Sequence, residues 1–367
     1  MKRREFVTKL GIGMAAGGSL LAGCDKQETS TAKPGKAKTE YEWNMVTTWP
    51  KDFPGLGTGA NTLARQISEM SGGRIKVTVY GAKELVPAFE VFDAVSNGAA
   101  EIGHGAAYYW KGKNEAFQFF STVPFGMNAQ EMNGWMHHGG GLELWKEAYA
   151  PFNLIPAPAG NTTVQMAGWF NKEINNISDL KGLKMRIPGL GGEVLGRAGG
   201  TPVNLPGGEL FTALQTGVLD ATEWVGPYND LAFGFHKVAK YYYYPGWHEP
   251  GTTLEAIINK KAFEALPSDL QAIVTGACRI ANQDMVDEYT AHNNAALDEL
   301  VNVHKVLVRR LPDDVLAKLK VLSDEVVHEV ANKNDLGKKV FASYSKFREQ
   351  AMEWHNISER AYYNARG

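Results

Sequence analysis

The sequence predicts an α/β protein built from two lobes of similar plan. Three features carry that reading. Strand-like and helix-like segments alternate from residue 41 onward. Residues 94–102 (AVSNGAAEI) are echoed at 213–221 (ALQTGVLDA), each copy reading as a helix end, a capping glycine, an acidic residue and a strand. A long helical pattern beyond Pro267 then has the length to cross both halves.

Taken in order, Arg3-Arg4 precede an uncharged apolar run from Leu10 to Leu21. The run is too short to span a bilayer and suits a cleaved export signal over residues 1–23. Arg3-Arg4-Glu5-Phe6-Val7 resembles the twin-arginine export motif, and Leu21-Ala22-Gly23-Cys24 resembles a lipobox. A lipid anchor on Cys24 and an ordinary leader with an incidental cysteine both stay open. Residues 24–40 are polar and apolar-poor, as a flexible linker is.

Lobe I is assigned to residues 41–160. It opens with a strand at 41–47, followed by a helix at 59–70 with Ala60, Leu63, Ala64, Ile67 and Met70 on one face. Gly72-Gly73 stop that helix before a strand at 74–80. A helix at 87–96 and a strand at 100–104 follow. Lobe II is assigned to 161–250, with crossing strands at both ends. It has an alternating strand at 162–170, a capped turn at 178–182 and a strand at 183–187 that Pro188 and the glycines at 189, 191 and 192 terminate. Residues 251–312 supply a return strand and the long helix, on which Leu270, Ile273, Val274, Ala277, Ile280 and Ala281 recur at helical spacing. Residues 313–367 form an amphipathic helical extension long enough to project and meet a partner.

The formal net charge is -2, which argues against a nucleic-acid or polyanion partner held by bulk electrostatics. Cys278 is the only cysteine besides Cys24, so the chain has no internal disulfide framework; Cys278 reads as a small buried residue. Gly189-Leu190-Gly191-Gly192-Glu193-Val194 falls short of a dinucleotide fingerprint, because Val194 stands where the third glycine belongs. His137-His138 lack zinc spacing, Tyr241 to Tyr244 read as a half-buried strand, and no G-x-S-x-G elbow is present. The sequence offers no nucleophilic catalyst.

Polar residues at strand ends remain. If the echo reflects two like lobes, the segments at 106–110 and 223–227 face one another at the carboxyl edges of two sheets, where open α/β folds bind ligands. Arg186 alternates with Met185 and Ile187, so its guanidinium leaves one face of a strand end. It is either a structural arginine or a bidentate partner for a carboxylate. Glu223-Trp224 and His248-Glu249 end two further strand-like segments. Two carboxylates on separate strand ends beside an arginine suit a hard cation, Na⁺ or Ca²⁺.

At these residues the chain resembles the periplasmic solute receptors of tripartite ATP-independent (TRAP) transporters. The resemblance runs from Trp43-Asn44-Met45-Val46-Thr47-Thr48-Trp49-Pro50 to the C-terminal helix. It is most specific at 179–186 (DLKGLKMR) and 214–224 (LQTGVLDATEW). It implies a two-lobe periplasmic-binding-protein-like fold with crossing strands, a lobe-spanning helix and a projecting C-terminal helix. The similarity is to the branch that takes 2-oxo or 2-hydroxy monocarboxylates such as pyruvate or lactate. In that branch Arg186 would clamp the substrate carboxylate. A bridging Na⁺ or Ca²⁺ would be held by Gln165, Glu223, the Trp224 carbonyl and Glu249. Tyr109, Tyr108, Trp110, Asn161 and Trp224 would line the cleft. The resemblance further implies integral membrane TRAP subunits as partners and a homodimer through C-terminal helices. A lipobox departs from the family's usual pattern. The competing readings are a receptor for an ATP-driven importer, a sensory binding protein, and a metal-assisted enzyme using His248 beside Glu249.

Overall fold

The computed structural model describes residues 39–367. The leader, the twin-arginine-like motif, the lipobox and nearly all of the linker lie outside the described residues. Among the described residues, no helix is long and apolar enough to cross a membrane.

The strands are β1 (Tyr41–Thr47), β2 (Ile75–Tyr80), β3 (Ile102–Gly105), β4 (Leu154–Asn161), β5 (Gly168–Phe170), β6 (Lys184–Arg186), β7 (Thr201–Val203), β8 (Ala221–Thr222), β9 (Tyr241–Tyr244), β10 (Thr253–Asn259) and β11 (Leu307–Arg310). They make a five-stranded sheet ordered β2-β1-β3-β10-β4 and a six-stranded sheet ordered β11-β9-β5-β8-β6-β7. In the first, β1 pairs in parallel with β2 and β3, while β10 runs antiparallel to both β3 and β4. Parallel strands covered on both faces need near-continuous apolar runs. The central β1 meets this with Trp43, Met45 and Val46, all buried.

The helix Leu56–Met70 covers this sheet with Ala60, Leu63, Ala64 and Ile67, a stripe at 3.6-residue period. The 35-residue helix Ser268–Asn302 rises about 52 Å at the usual 1.5 Å per residue. Its first half buries Leu270, Val274, Ala277 and Cys278 against Trp43, Met45 and Ile102 of the first sheet. Its second half buries Met285, Tyr289 and Leu300 with Trp169 and Tyr242 of the second.

Three segments join the sheets: residues 162–167, residues 245–252 and this helix. The alternation expected to give one strand over 162–170 yields strand only at β5. Residues 162–167 leave one sheet for the other, so their amides pair with the second crossing at 245–252 and with the segment after β8 instead of a regular ladder. Thr162 N–H donates to the Thr252 carbonyl at 3.0 Å, Gln165 N–H to the Glu249 carbonyl at 3.1 Å and Met166 N–H to the Val225 carbonyl at 2.9 Å.

The extension at 313–367 is three helices, Asp313–Ala331, Asp335–Ile357 and Glu359–Arg366. Much of it does not project. Val315, Leu319, Val326 and Val330 pack into the cluster that holds Leu190 and Val194, and Val340 and Tyr344 join Phe119 and Trp135 in the same cluster. The free portion is the last stretch, where Trp354, Ile357, Tyr362 and Tyr363 are exposed.

Candidate functional site

The register of β6 against β8 pairs Arg186 with Thr222, and the Glu223 N–H donates to the Arg186 carbonyl at 3.2 Å. Arg186 and Glu223 therefore end neighbouring strands. The guanidinium is 1% exposed, and such burial requires pairing. Nε donates to the Leu205 carbonyl at 3.1 Å, Nη1 to the Glu223 carbonyl at 3.3 Å and to Glu223 Oε1, and Nη2 to the Tyr109 hydroxyl at 3.1 Å. The Trp224 ring lies under the guanidinium carbon at 4.9 Å. Because Tyr109 accepts from Arg186, its own O–H proton is left for an acceptor in the cleft.

The crossing segments place Gln165 beside Glu249. Gly246 N–H donates to the Gln165 carbonyl at 2.9 Å, and a Cβ at Gly246 would run into that same carbonyl, so glycine is required. The Gln165 amide donates through Nε2 to Glu249 Oε2 at 2.8 Å and to Thr162 Oγ1 at 2.9 Å. Thr252 Oγ1 donates to the same Glu249 oxygen at 2.5 Å.

Three buried oxygens then have no hydrogen-bond partner: Gln165 Oε1, Glu223 Oε2 and Glu249 Oε1. Burying such groups unpaired costs on the order of 1–3 kcal/mol each, so their convergence calls for a ligand. An amide oxygen with two carboxylates is a donor set for a hard cation. These residues fit the cation that the sequence suggests. Burial pushes Glu223 up to about 7, with Arg186 pulling against the rise, and burial together with the charge of Glu223 pushes Glu249 up to about 7. Arg186 stays charged: burial works against it, but Glu223 raises its pKa above the ordinary value.

Above these groups lies a small cavity bounded by Trp49, Tyr108, Tyr109, Thr162, Gln165, Arg186 and Trp224, with Leu56, Val225 and Leu254 as apolar walls. Tyr108 and Tyr109 come from the turn after β3 and Trp224 from the end of β8, so the two echoed strand ends do meet across the cleft. Trp49 meets Trp224 edge-on at a centroid distance of 6.1 Å and Tyr109 at a tilt at 6.2 Å.

A family model for bacterial extracellular solute-binding proteins, family 7, matches residues 45–334. The chain belongs to this family. It is a solute receptor of the TRAP type, whose members are periplasmic, and the ATP-driven importer and enzyme readings fall away. A monocarboxylate 2-oxoacid-binding periplasmic protein of Nostoc sp. is 43% identical over 364 residues, covering 99% of this chain and 98% of the relative. A solved TRAP solute-binding protein of Pseudoalteromonas atlantica, holding sodium and pyruvate, is 43% identical with a TM-score of 0.86, over 89% of this chain and 99% of that one. One from Colwellia psychrerythraea, holding calcium and pyruvate, has the same identity and TM-score and covers 89% and 100%. One from Bordetella bronchiseptica, a mixed-occupancy dimer with copurified calcium and picolinate, is 37% identical with a TM-score of 0.87, covering 89% and 97%.

Within this receptor, Arg186, Tyr108, Tyr109, Gln165, Glu223, Trp224 and Glu249 come together as expected from sequence. Asn161 does not reach the cleft. Its amide bridges the Gly251 carbonyl at 3.2 Å and Thr253 Oγ1 at 3.4 Å, and its Oδ1 accepts from Thr163 N–H, so it is spent on joining the crossings. Trp110 also turns away, donating Nε1–H to Glu255 behind the cleft wall. Sequence reading missed Trp49, Thr162 and Thr252. Trp49 was findable, since it follows β1 at the carboxyl edge of a parallel strand. It is held by His104, whose Nδ1 accepts its indole N–H at 2.8 Å. Thr162 and Thr252 carry no local signal, because their role arises only where the crossings touch.

Proposed function

We propose that this receptor captures a small 2-oxo or 2-hydroxy monocarboxylate, pyruvate- or lactate-like, together with a cation, and presents the closed complex to membrane TRAP subunits. The observation that carries the reading is the set of three partnerless buried oxygens beside Arg186 at the floor of a small closed cleft.

In this reading Arg186 Nη2 and the Tyr109 hydroxyl take the ligand carboxylate, and Trp224, Tyr108 and Trp49 pack on its carbon skeleton. Gln165, Glu223, Glu249 and the Trp224 carbonyl hold the cation, which the 2-oxo or 2-hydroxy oxygen completes. Charge balance favours a divalent ion. Two carboxylates and one guanidinium leave a single negative charge, the ligand adds another, and Ca²⁺ neutralises both where Na⁺ leaves one. The Pseudoalteromonas and Colwellia proteins, holding pyruvate with sodium and calcium respectively, support the pairing of ligand and ion.

The exposed Trp354, Ile357, Tyr362 and Tyr363 support a homodimer through the C-terminal helices. Anchoring through Cys24 after export would tether the receptor to a membrane; a diacylglycerol adduct in the mass of the mature chain checks it.

Calorimetry on Arg186→Ala tests the carboxylate clamp. Pyruvate binding should become undetectable while the far-ultraviolet spectrum is kept; retained micromolar affinity would sink the assignment. Arg186→Lys keeps the charge but loses the fork, and should weaken binding by at least about tenfold.

A further inference from the structure

His248 is the one group at the cation site that the proposed ligand set leaves without a task. Its side chain is fully buried, and neither ring nitrogen has a hydrogen-bond partner. Nε2 stands 3.4 Å from Glu223 Oε2, itself partnerless. One donor atom from each of Glu223, His248 and Glu249 falls within 4.8 Å of the others.

The 3.4 Å separation is long for a hydrogen bond and suits two donors that share a metal. A hydrogen bond between nitrogen and a carboxylate oxygen should close to about 2.7–3.2 Å. Two donors sharing one metal at about 2.1 Å, at a tetrahedral angle, stand about 3.4 Å apart. The ring is also fixed in place: a Cβ on Gly191, in the helix Gly189–Arg197, would meet the His248 Cβ at 2.9 Å, so the bare glycine backbone closes over it.

We propose that His248 is a nitrogen ligand that makes this site a receptor for borderline divalent metals such as Mn²⁺, Co²⁺ or Zn²⁺, bound by Glu223, Glu249 and His248. The inference rests on the cation reading above and deepens it. Na⁺ and Ca²⁺ gain little from imidazole, whereas transition ions gain strongly. The cleft would then take a 2-oxo acid with whichever of the two cation classes is available, His248 setting the preference.

The test uses the full mature chain stripped with chelator and loaded with Mn²⁺, alongside Ca²⁺ by calorimetry. Pulsed EPR of the bound Mn²⁺ should show nitrogen modulation from a coordinated imidazole. His248→Gln and His248→Asn should abolish the modulation and lower the ratio of Mn²⁺ to Ca²⁺ affinity at least tenfold. Ca²⁺ binding with no nitrogen modulation on Mn²⁺, or modulation that survives in both variants, overturns the role of His248 and leaves the carboxylate receptor standing. Failure of both metals to bind overturns the cation reading and this inference with it.

Discussion

Arg186 and Glu223 illustrate how a charged pair is kept inside a protein. Both side chains are essentially unexposed; fixed acceptors surround the Arg186 guanidinium, while Glu223 is paired with it through Oε1 and leaves Oε2 for the cation. Glu255 is a contrasting case nearby. It accepts from Trp110 Nε1 at 2.5 Å and from the Tyr149 hydroxyl at 2.9 Å, without a neighbouring cation, and burial pushes it up to about 8. An acid whose folded pKa lies above its unfolded value near 4.5 favours folding fully below that value. The contribution fades as pH rises through 8. The melting temperature should therefore fall between about pH 5 and 8, and Glu255→Gln should flatten that slope; an unchanged slope in thermal melts argues against it. At this scale the sequence was most legible where strand alternation aims a side chain, as at Arg186. It was least legible at Asn161 and Thr162. Which of two adjacent polar residues faces the cleft depends on pairing with Gly251 to Thr253, some 90 residues away.

Among elements, the turn after β1 does more than connect. Its Phe53 stacks on Phe233 at a centroid distance of 4.2 Å and meets the edge of Trp224 at 6.5 Å, while Asn229 Nδ2 donates to the Pro54 carbonyl at 2.8 Å. A segment of the first sheet thus clasps the residues after β8 that shape the cleft. Removing a buried phenylalanine typically costs about 3–5 kcal/mol, and here part of that loss falls on the contact between sheets. Phe53→Ala should speed ligand dissociation by at least about tenfold in stopped-flow measurements, with the association rate changing far less. Equal dissociation rates would show that the contact has no part in retention. The helices were readable because their apolar stripes are local. The false strand at 162–170 arose because Val164, Met166, Gly168 and Phe170 alternate with Thr163, Gln165 and Trp169, Ala167 being the one break in the pattern. A positive φ of 58° at Thr163 breaks the extension, and periodicity gives no sign of it.

For the whole molecule, the two-sheet plan follows from the echo at 94–102 and 213–221, which becomes a pair of facing strand ends. The course of the C-terminal helices was harder to foresee. An amphipathic pattern says that a face is covered, and here the molecule covers most of it with its own helices and clusters. What stays open is the aromatic tip, and size-exclusion chromatography with light scattering checks its use. The wild type should run as a dimer, and a Trp354→Glu, Tyr362→Glu variant as a monomer of unchanged fold; a dimer in both excludes this surface. The central claim, that carboxylate and cation bind as one unit in the cleft, is tested most directly by titrating pyruvate into chelator-stripped receptor with and without Ca²⁺. Reciprocal linkage predicts that Ca²⁺ tightens pyruvate at least about tenfold and that pyruvate tightens Ca²⁺ by the same factor. Equal pyruvate affinity with and without the ion would contradict the account.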